Sequence, residues 1–329
     1  MGKKWWLFSL CSGMLGAPII GKWLFPNFTN FFVYLATYVC IMVILSIALH
    51  IFFGICGQIN FGVNGFYAAG AYLCALLITK LDFHYFIALP LSVVACGIIT
   101  LLLGFALLRL RHWVLALGTA AFGFAVFLML RTVWVGVLGG DDGILVPGLN
   151  IFGKRVGLYF YYYFVFAWLG LCSMGAYFLE KSRAGRAMRA IQEDEIGASA
   201  IGINVGHYVR VAFLVSGVYM GLAGALFAQW NRGVAPDNFG LHIAMLILVY
   251  VVVGGVGKLS GAIIGTTVMV LLPEIMSFLR EYQSLVYAFI FFMVMRFMPR
   301  GIVGTIGEFW SKGVQSTNSL SKLKKESPL

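Results

Sequence analysis

The chain alternates long apolar runs with short polar breaks. Runs at 30–53, 86–108, 113–135, 159–179 and 208–230 are each close to the ~20 residues a helix needs to cross a bilayer. Shorter or less regular runs at 5–20, 62–79, 241–253, 261–279 and 285–298 bring the expected total to about ten spans. In lipid every backbone polar group must find a partner within the protein, so helices are the expected form. The predicted fold is all-α: a polytopic transmembrane helix bundle over 1–310. The polar, Lys-rich stretch 311–329 is predicted to be a disordered tail.

Two breaks depart from simple connections. The stretch 54–72, GICGQINFGVNGFYAAGAY, sets Gly54, Gly57, Gly62, Gly65 and Gly70 beside the amides Gln58, Asn60 and Asn64. Irregular backbone at membrane depth is tolerated only where protein or a water-filled cavity satisfies it. This stretch is therefore expected to face the bundle interior, with a local break in the helix. Its three amides either line a translocation path or bond across helices as packing contacts. A second glycine-rich opening at 254–270 resembles it faintly, as an internal repeat or close helix packing would produce.

The other break is 180–210, EKSRAGRAMRAIQEDEIGASAIGINVGHYVR. Its five basic and four acidic residues hold nine of the chain's 35 formal charges. Helix formers dominate 184–198. Arg189 and Glu193 stand at i,i+4 and are expected to pair, and Gly197 and Gly202 allow the chain to turn. A plain connection needs only two to eight residues, so the extra length suits a docking surface as well as a basic topological anchor at the membrane surface.

Composition narrows the class. Hydrophobic residues make up 61% and charged residues 11%, with mean hydropathy +0.94; soluble domains carry about 25% charged residues. The net charge of +11 does not indicate nucleic acid, because the basic residues sit in short breaks without interleaved aromatics. With the N-terminus and C-terminus cytosolic, 16 Lys and Arg fall inside and 7 outside, which agrees with the positive-inside rule and places 180–210 in the cytosol. The six cysteines are scattered without a CxxC pair, and the histidines have no metal-ligand spacing. There is no P-loop, GxSxG or HExxH. Asp141 and Asp142 are adjacent, so in an extended loop they would point apart. No catalytic or metal site is expected, and any ATP would be bound by another polypeptide. A self-sufficient secondary carrier or channel would need ionisable groups inside the spans, and these hold little beyond His50 and Arg131.

GRAMRAIQEDEIGASAIGINV, with the apolar segment that follows, resembles the coupling loop of ABC-importer permeases, in particular the branched-chain amino-acid family and its LivM-type subunit. Glu195, Ala198 and Gly202 approximate that loop's older Glu-Ala-Ala…Gly motif, with the glycine one position late. GQINFGVNGFYAAGAYL at 57–73, GGDDGI at 139–144, VVVGGVGKLSGAIIG at 251–265 and FMPRGIVG at 297–304 resemble further family segments in family order. Asn64 departs from the His expected in many relatives. The resemblance implies a bacterial cytoplasmic (inner) membrane permease importing branched-chain or other small amino acids, with urea or short amides as the nearest alternative substrates. The implied partners are a second permease subunit, two cytosolic ATP-binding subunits and an extracytoplasmic substrate-binding protein. ATPase-coupling contacts are expected at Glu193, Asp194, Glu195, Ala198 and Gly202. The translocation path is expected at Gln58, Asn60, Asn64, Gly254 and Gly255.

Overall fold

The computed structural model describes residues 29–107, 112–133, 135–151, 154–275, 283–297, 301 and 304–305. The expected span at 5–20, the basic turn at Arg109 and Arg111, and the tail at 311–329 lie outside them. The main helices are α1 (Thr29–Leu49), α2 (Val63–Thr79), α3 (Tyr85–Leu107), α4 (His112–Leu128) and a one-turn α5 (Val135–Leu138). They are followed by α6 (Leu158–Lys181), α7 (Arg183–Glu193), α8 (Glu195–Ala200), α9 (Val205–Asn231), α10 (Leu241–Gly254), α11 (Leu259–Ile275) and α12 (Gln283–Phe297). Helices thus occupy the expected positions from 30–53 onward. Among the described residues six helical segments are long and apolar enough to cross a membrane, one of them α10 together with the turn before it (Pro236–Gly254), and α2 and α11 are shorter apolar helices.

Burial ranks the helices. α1 is apolar on every side, the signature of a helix surrounded by protein, and 89% of its apolar stretch is buried, as is 72% of α9's. For α3, α4 and α6 the figure is 28%. Their outward residues include Leu102, Trp113, Leu117 and Phe178, a surface suited to lipid or another apolar subunit. α9 reaches the centre because its small residues let backbones close in: a Cβ on Gly224 would overlap the Tyr67 carbonyl of α2. Polar bonds then fix the register. The hydroxyls of Ser46 on α1 and Thr266 on α11 lie 2.7 Å apart, and Tyr161 Oη donates to the Leu226 carbonyl at 2.6 Å.

Connections at opposite ends of the bundle differ in kind. At one end two short antiparallel pairs form, β1 (Ile144–Leu145) with β4 (Gly233–Val234), and β2 (Asn150–Ile151) with β3 (Lys154–Arg155). There Trp230 stacks on Tyr34 and Tyr38 and donates its indole N–H to the Tyr34 carbonyl. Asp141 and Asp142 sit in a 3₁₀ turn rather than an extended loop, and Asp141 pairs with Arg131 at 2.7 Å. The stretch 233–240 folds inward through a 3₁₀ turn, Pro236–Phe239. Phe239 is fully buried against Tyr67, Tyr72 and Phe227. This explains why α10 needs only 14 residues: the turn fills the depth that a full-length span would otherwise cover.

Candidate functional site

α1 does not end in an ordinary cap. The six residues that follow it, His50–Ile55, widen into a π-helix, a rare form that is frequent at functional sites. His50 is fully buried, and neither ring nitrogen has a hydrogen-bond partner among the described residues. Gly54 leaves the space its imidazole fills. Residues 57–62 then run without helical structure until α2 begins at Val63. The expected break in the helix is present, and several of its backbone groups are held by side chains. Gly62 N–H donates to Asn60 Oδ1 at 2.8 Å, and Phe61 N–H donates to Thr119 Oγ1 at 3.1 Å. Asn64 Nδ2 donates to the carbonyls of Gly123 on α4 and Phe239 in the inward turn. Asn64 Oδ1 has no partner among the described residues. In this conformation the amides of Asn60 and Asn64 bind protein backbone.

The second element is the helical loop at the far end of α6. Its three helices each start on a polar cap. Ser182 Oγ accepts from Gly185 N–H, Asp194 Oδ1 from Ile196 N–H, and Asn204 Oδ1 from His207 N–H. Asp194 breaks the expected continuous helix into α7 and α8, because its extended backbone (φ −156°, ψ 110°) turns the chain while its carboxylate caps α8. α7 is amphipathic: Ala187, Met188 and Ile191 face inward, and Arg183, Arg186 and Arg189 face outward. The expected pair of Arg189 with Glu193 is replaced by Arg189 with Glu180, on the last turn of α6. Gly202 carries the turn at φ +86°, whereas Gly197 lies within α8. Of the expected coupling residues, Glu193, Asp194 and Gly202 are exposed and Glu195 half-buried, while Ala198 is buried. Two apolar residues also stand out on this loop: Ile196 and Ile201 are 81% and 76% exposed.

These two elements meet. Gly57, at φ +74°, packs its backbone against Gln192, where a Cβ would come within 2.9 Å of the Gln192 side chain. Between them lies a cleft of about 420 Å³ walled by Cys56, Gly57 and Gln58 on one side and residues 191–196 on the other. Burial, and secondarily the nearby Glu195 charge, push the Cys56 thiol up to about 12. Gln58 therefore sits beside the loop and away from Asn64, which is held among α2, α4 and the inward turn. Gly254 ends α10 and Gly255 opens the turn to α11, and a Cβ on Gly254 would overlap the Gly261 carbonyl. Among the described residues no group of three His, Cys, Asp or Glu is placed to hold a metal.

The described residues thus form a bundle of apolar helices around a mostly buried α1, with a break between α1 and α2 and a capped helical loop at one end. The chain belongs to the family described as "Branched-chain amino acid transport system / permease component", which matches residues 31–295. It is 30% identical over 294 residues to the high-affinity branched-chain amino acid transport permease LivM of Salmonella typhimurium, covering 82% of this chain and 69% of that one. The LivM of Escherichia coli gives the same identity and coverage. BraD, a permease of the same kind from Pseudomonas aeruginosa, is 26% identical over 79% of this chain and 91% of its own. No solved structure gave a significant match. The chain is thus a permease of LivM type, a membrane transport component rather than a member of an enzyme family.

Proposed function

We propose that this chain is one of two membrane subunits of an ABC importer for branched-chain or other small amino acids in a bacterial cytoplasmic membrane. In this reading about ten spans place both termini and the α7–α8 loop in the cytosol. A binding protein delivers substrate at the β1–β4 end, and two cytosolic ATPases engage the loop. The observation that carries the reading is the loop itself, in a permease of this family. Two capped helices present Glu193, Asp194 and Glu195 beside the exposed Ile196 and Ile201, a composition suited to a protein partner and not to lipid. Ala198, buried beneath them, would position the ridge without touching the partner. Asn60, Asn64, Gly254 and Gly255 would border the path, with Gln58 at its cytosolic mouth.

The test is uptake by the assembled importer in proteoliposomes. Wild type should accumulate a branched-chain amino acid only with ATP and binding protein present. Reversing Glu193 and Glu195 together should abolish ATPase co-purification or uncouple hydrolysis. Gly202→Pro should do the same, because proline cannot adopt φ +86°. Uptake that persists without the ATPases would overturn the reading in favour of a self-sufficient carrier. Uptake of urea but of no amino acid would change the substrate and keep the class.

A further inference from the structure

The inward turn Pro236–Phe239 is gripped in two ways at once. The Phe239 ring is fully buried, with Tyr67, Phe227 and Tyr72 around it at 5.1, 5.7 and 5.9 Å between ring centroids. The Phe239 carbonyl accepts from Asn64 Nδ2 at 3.1 Å. One residue thus gives an apolar side chain to an aromatic cage and a carbonyl oxygen to an amide donor. The residues that hold it also carry three buried polar atoms with no partner among the described residues: Asn64 Oδ1, Tyr67 Oη and Tyr72 Oη. Folded proteins leave few such atoms, because each costs stability. A cage built only for packing would use phenylalanine in place of both tyrosines. We propose that Asn64, Tyr67, Tyr72 and Phe227 form the seat of an amino acid with an aliphatic side chain, and that Phe239 plugs this seat in the present conformation. The proposal rests on the importer reading above and deepens it.

The chemistry of such a ligand matches what Phe239 supplies and what it leaves unmet. An aliphatic side chain would replace the ring in the cage. A carboxylate oxygen would replace the Phe239 carbonyl on Asn64 Nδ2 and could accept from a tyrosine hydroxyl as well, and the ammonium would donate to Asn64 Oδ1. A charged side chain would lose its hydration among the rings and is disfavoured. The plug also has a handle. Only Ala235 separates the turn from β4, which pairs with β1 through Ile144–Val234 and Leu145–Gly233. Val234 is buried, whereas Leu145 on the other strand is 83% exposed, at the end of the bundle opposite the α7–α8 loop. A partner bearing on Leu145 would shift β4 and the turn together and draw Phe239 from its seat.

The experiment follows the unfolding temperature of the permease chain in the detergent-purified importer, without ATP or binding protein, for wild type and Phe239→Ala. Removing the ring opens the seat. Phe239→Ala should unfold below wild type and, with about 10 mM leucine, regain roughly 2 °C or more beyond any shift in wild type. Lysine, and 4-methylpentanoate, which lacks the ammonium, should restore less. No gain with leucine overturns the plug, and so does an equal gain with lysine or an equal shift in wild type. If Phe239→Ala does not survive purification, hydrogen exchange in the wild-type importer decides. Amides of 233–240 should exchange faster during leucine uptake than at rest, and equal rates overturn the plug. A wild-type importer that accumulates urea and no amino acid brings down the substrate reading and the seat together. Leucine uptake by wild type with a leucine-insensitive Phe239→Ala removes the plug alone.

Discussion

Two glycine-rich breaks, 54–65 and 254–265, look alike in sequence and are built in opposite ways. In the first, the helix widens into a π turn, the chain runs extended for several residues, and side-chain amides and a hydroxyl replace the missing helical bonds. In the second, α10 and α11 almost meet. Only residues 255–258 separate them, and backbone bonds close the turn from Gly255 N–H to the Val251 carbonyl and from Gly261 N–H to the Lys258 carbonyl. Its glycines serve close approach: a Cβ on Gly265 would overlap the Tyr250 carbonyl and the Gly254 backbone. The two breaks come near each other at one point, where a Cβ on Gly257 would lie 3.6 Å from the Gly54 carbonyl. Glycine therefore marks two different solutions. One removes side chains so that backbones touch. The other frees the backbone so that amide side chains can hold it.

The sharpest way to separate the two is bulk. Gly265→Leu would force a side chain into backbone atoms that cannot move aside, costing about 3 kcal/mol or more. The expected outcome is loss of folded protein on detergent extraction, or a large fall in unfolding temperature. Gly170→Leu on α6, which faces open space, is the control and should unfold like wild type. At the first break the damaging change is loss of polarity. Asn64→Leu strands the Gly123 and Phe239 carbonyls and should cost about 1–3 kcal/mol, seen as a lower unfolding midpoint. An unchanged midpoint with lost uptake would show that Asn64 serves the path and not the staple. Asn60→Ala removes one bond to the Gly62 N–H and should cost about 1 kcal/mol, in line with other local caps. If Asn60→Ala proves worse than Gly265→Leu, the contrast between the breaks is misdrawn.

The smallest expected effect touches reactivity alone. A thiol pushed up to about 12 keeps its proton through the ordinary range, and the thiolate is the reactive form. Cys56 should therefore resist alkylation at neutral pH, with a rate that climbs as pH rises instead of levelling near the usual thiol value. Peptide-resolved mass spectrometry distinguishes it from the other buried cysteines. Fast modification at pH 7 in the native permease would mean that the cleft opens in the resting protein.

What was legible in the sequence was local. Apolar runs set where helices form, because hydrophobicity over about 20 residues is a property of the segment itself. Glycines and amides crowded into 54–72 announced a break. The turn at Gly202 was likewise readable, since few residues other than glycine accept its backbone angle. The split at Asp194 could have been read from its cap chemistry, but the partner of Arg189 could not. Glu180 and Glu193 both lay within sequence reach, and only the packing of α7 against the end of α6 chose between them.

Contacts between distant segments were decided by tertiary structure alone. The carbonyls that hold Asn64 lie 59 and 175 residues away, and sequence spacing carries no record of either. The same holds for the inward fold of Phe239 and for the cleft that brings Gln58 to Glu193. A hydrogen bond needs a partner within about 3 Å. The pattern along a membrane helix states which face is polar, and the packing of the other helices settles what that face meets.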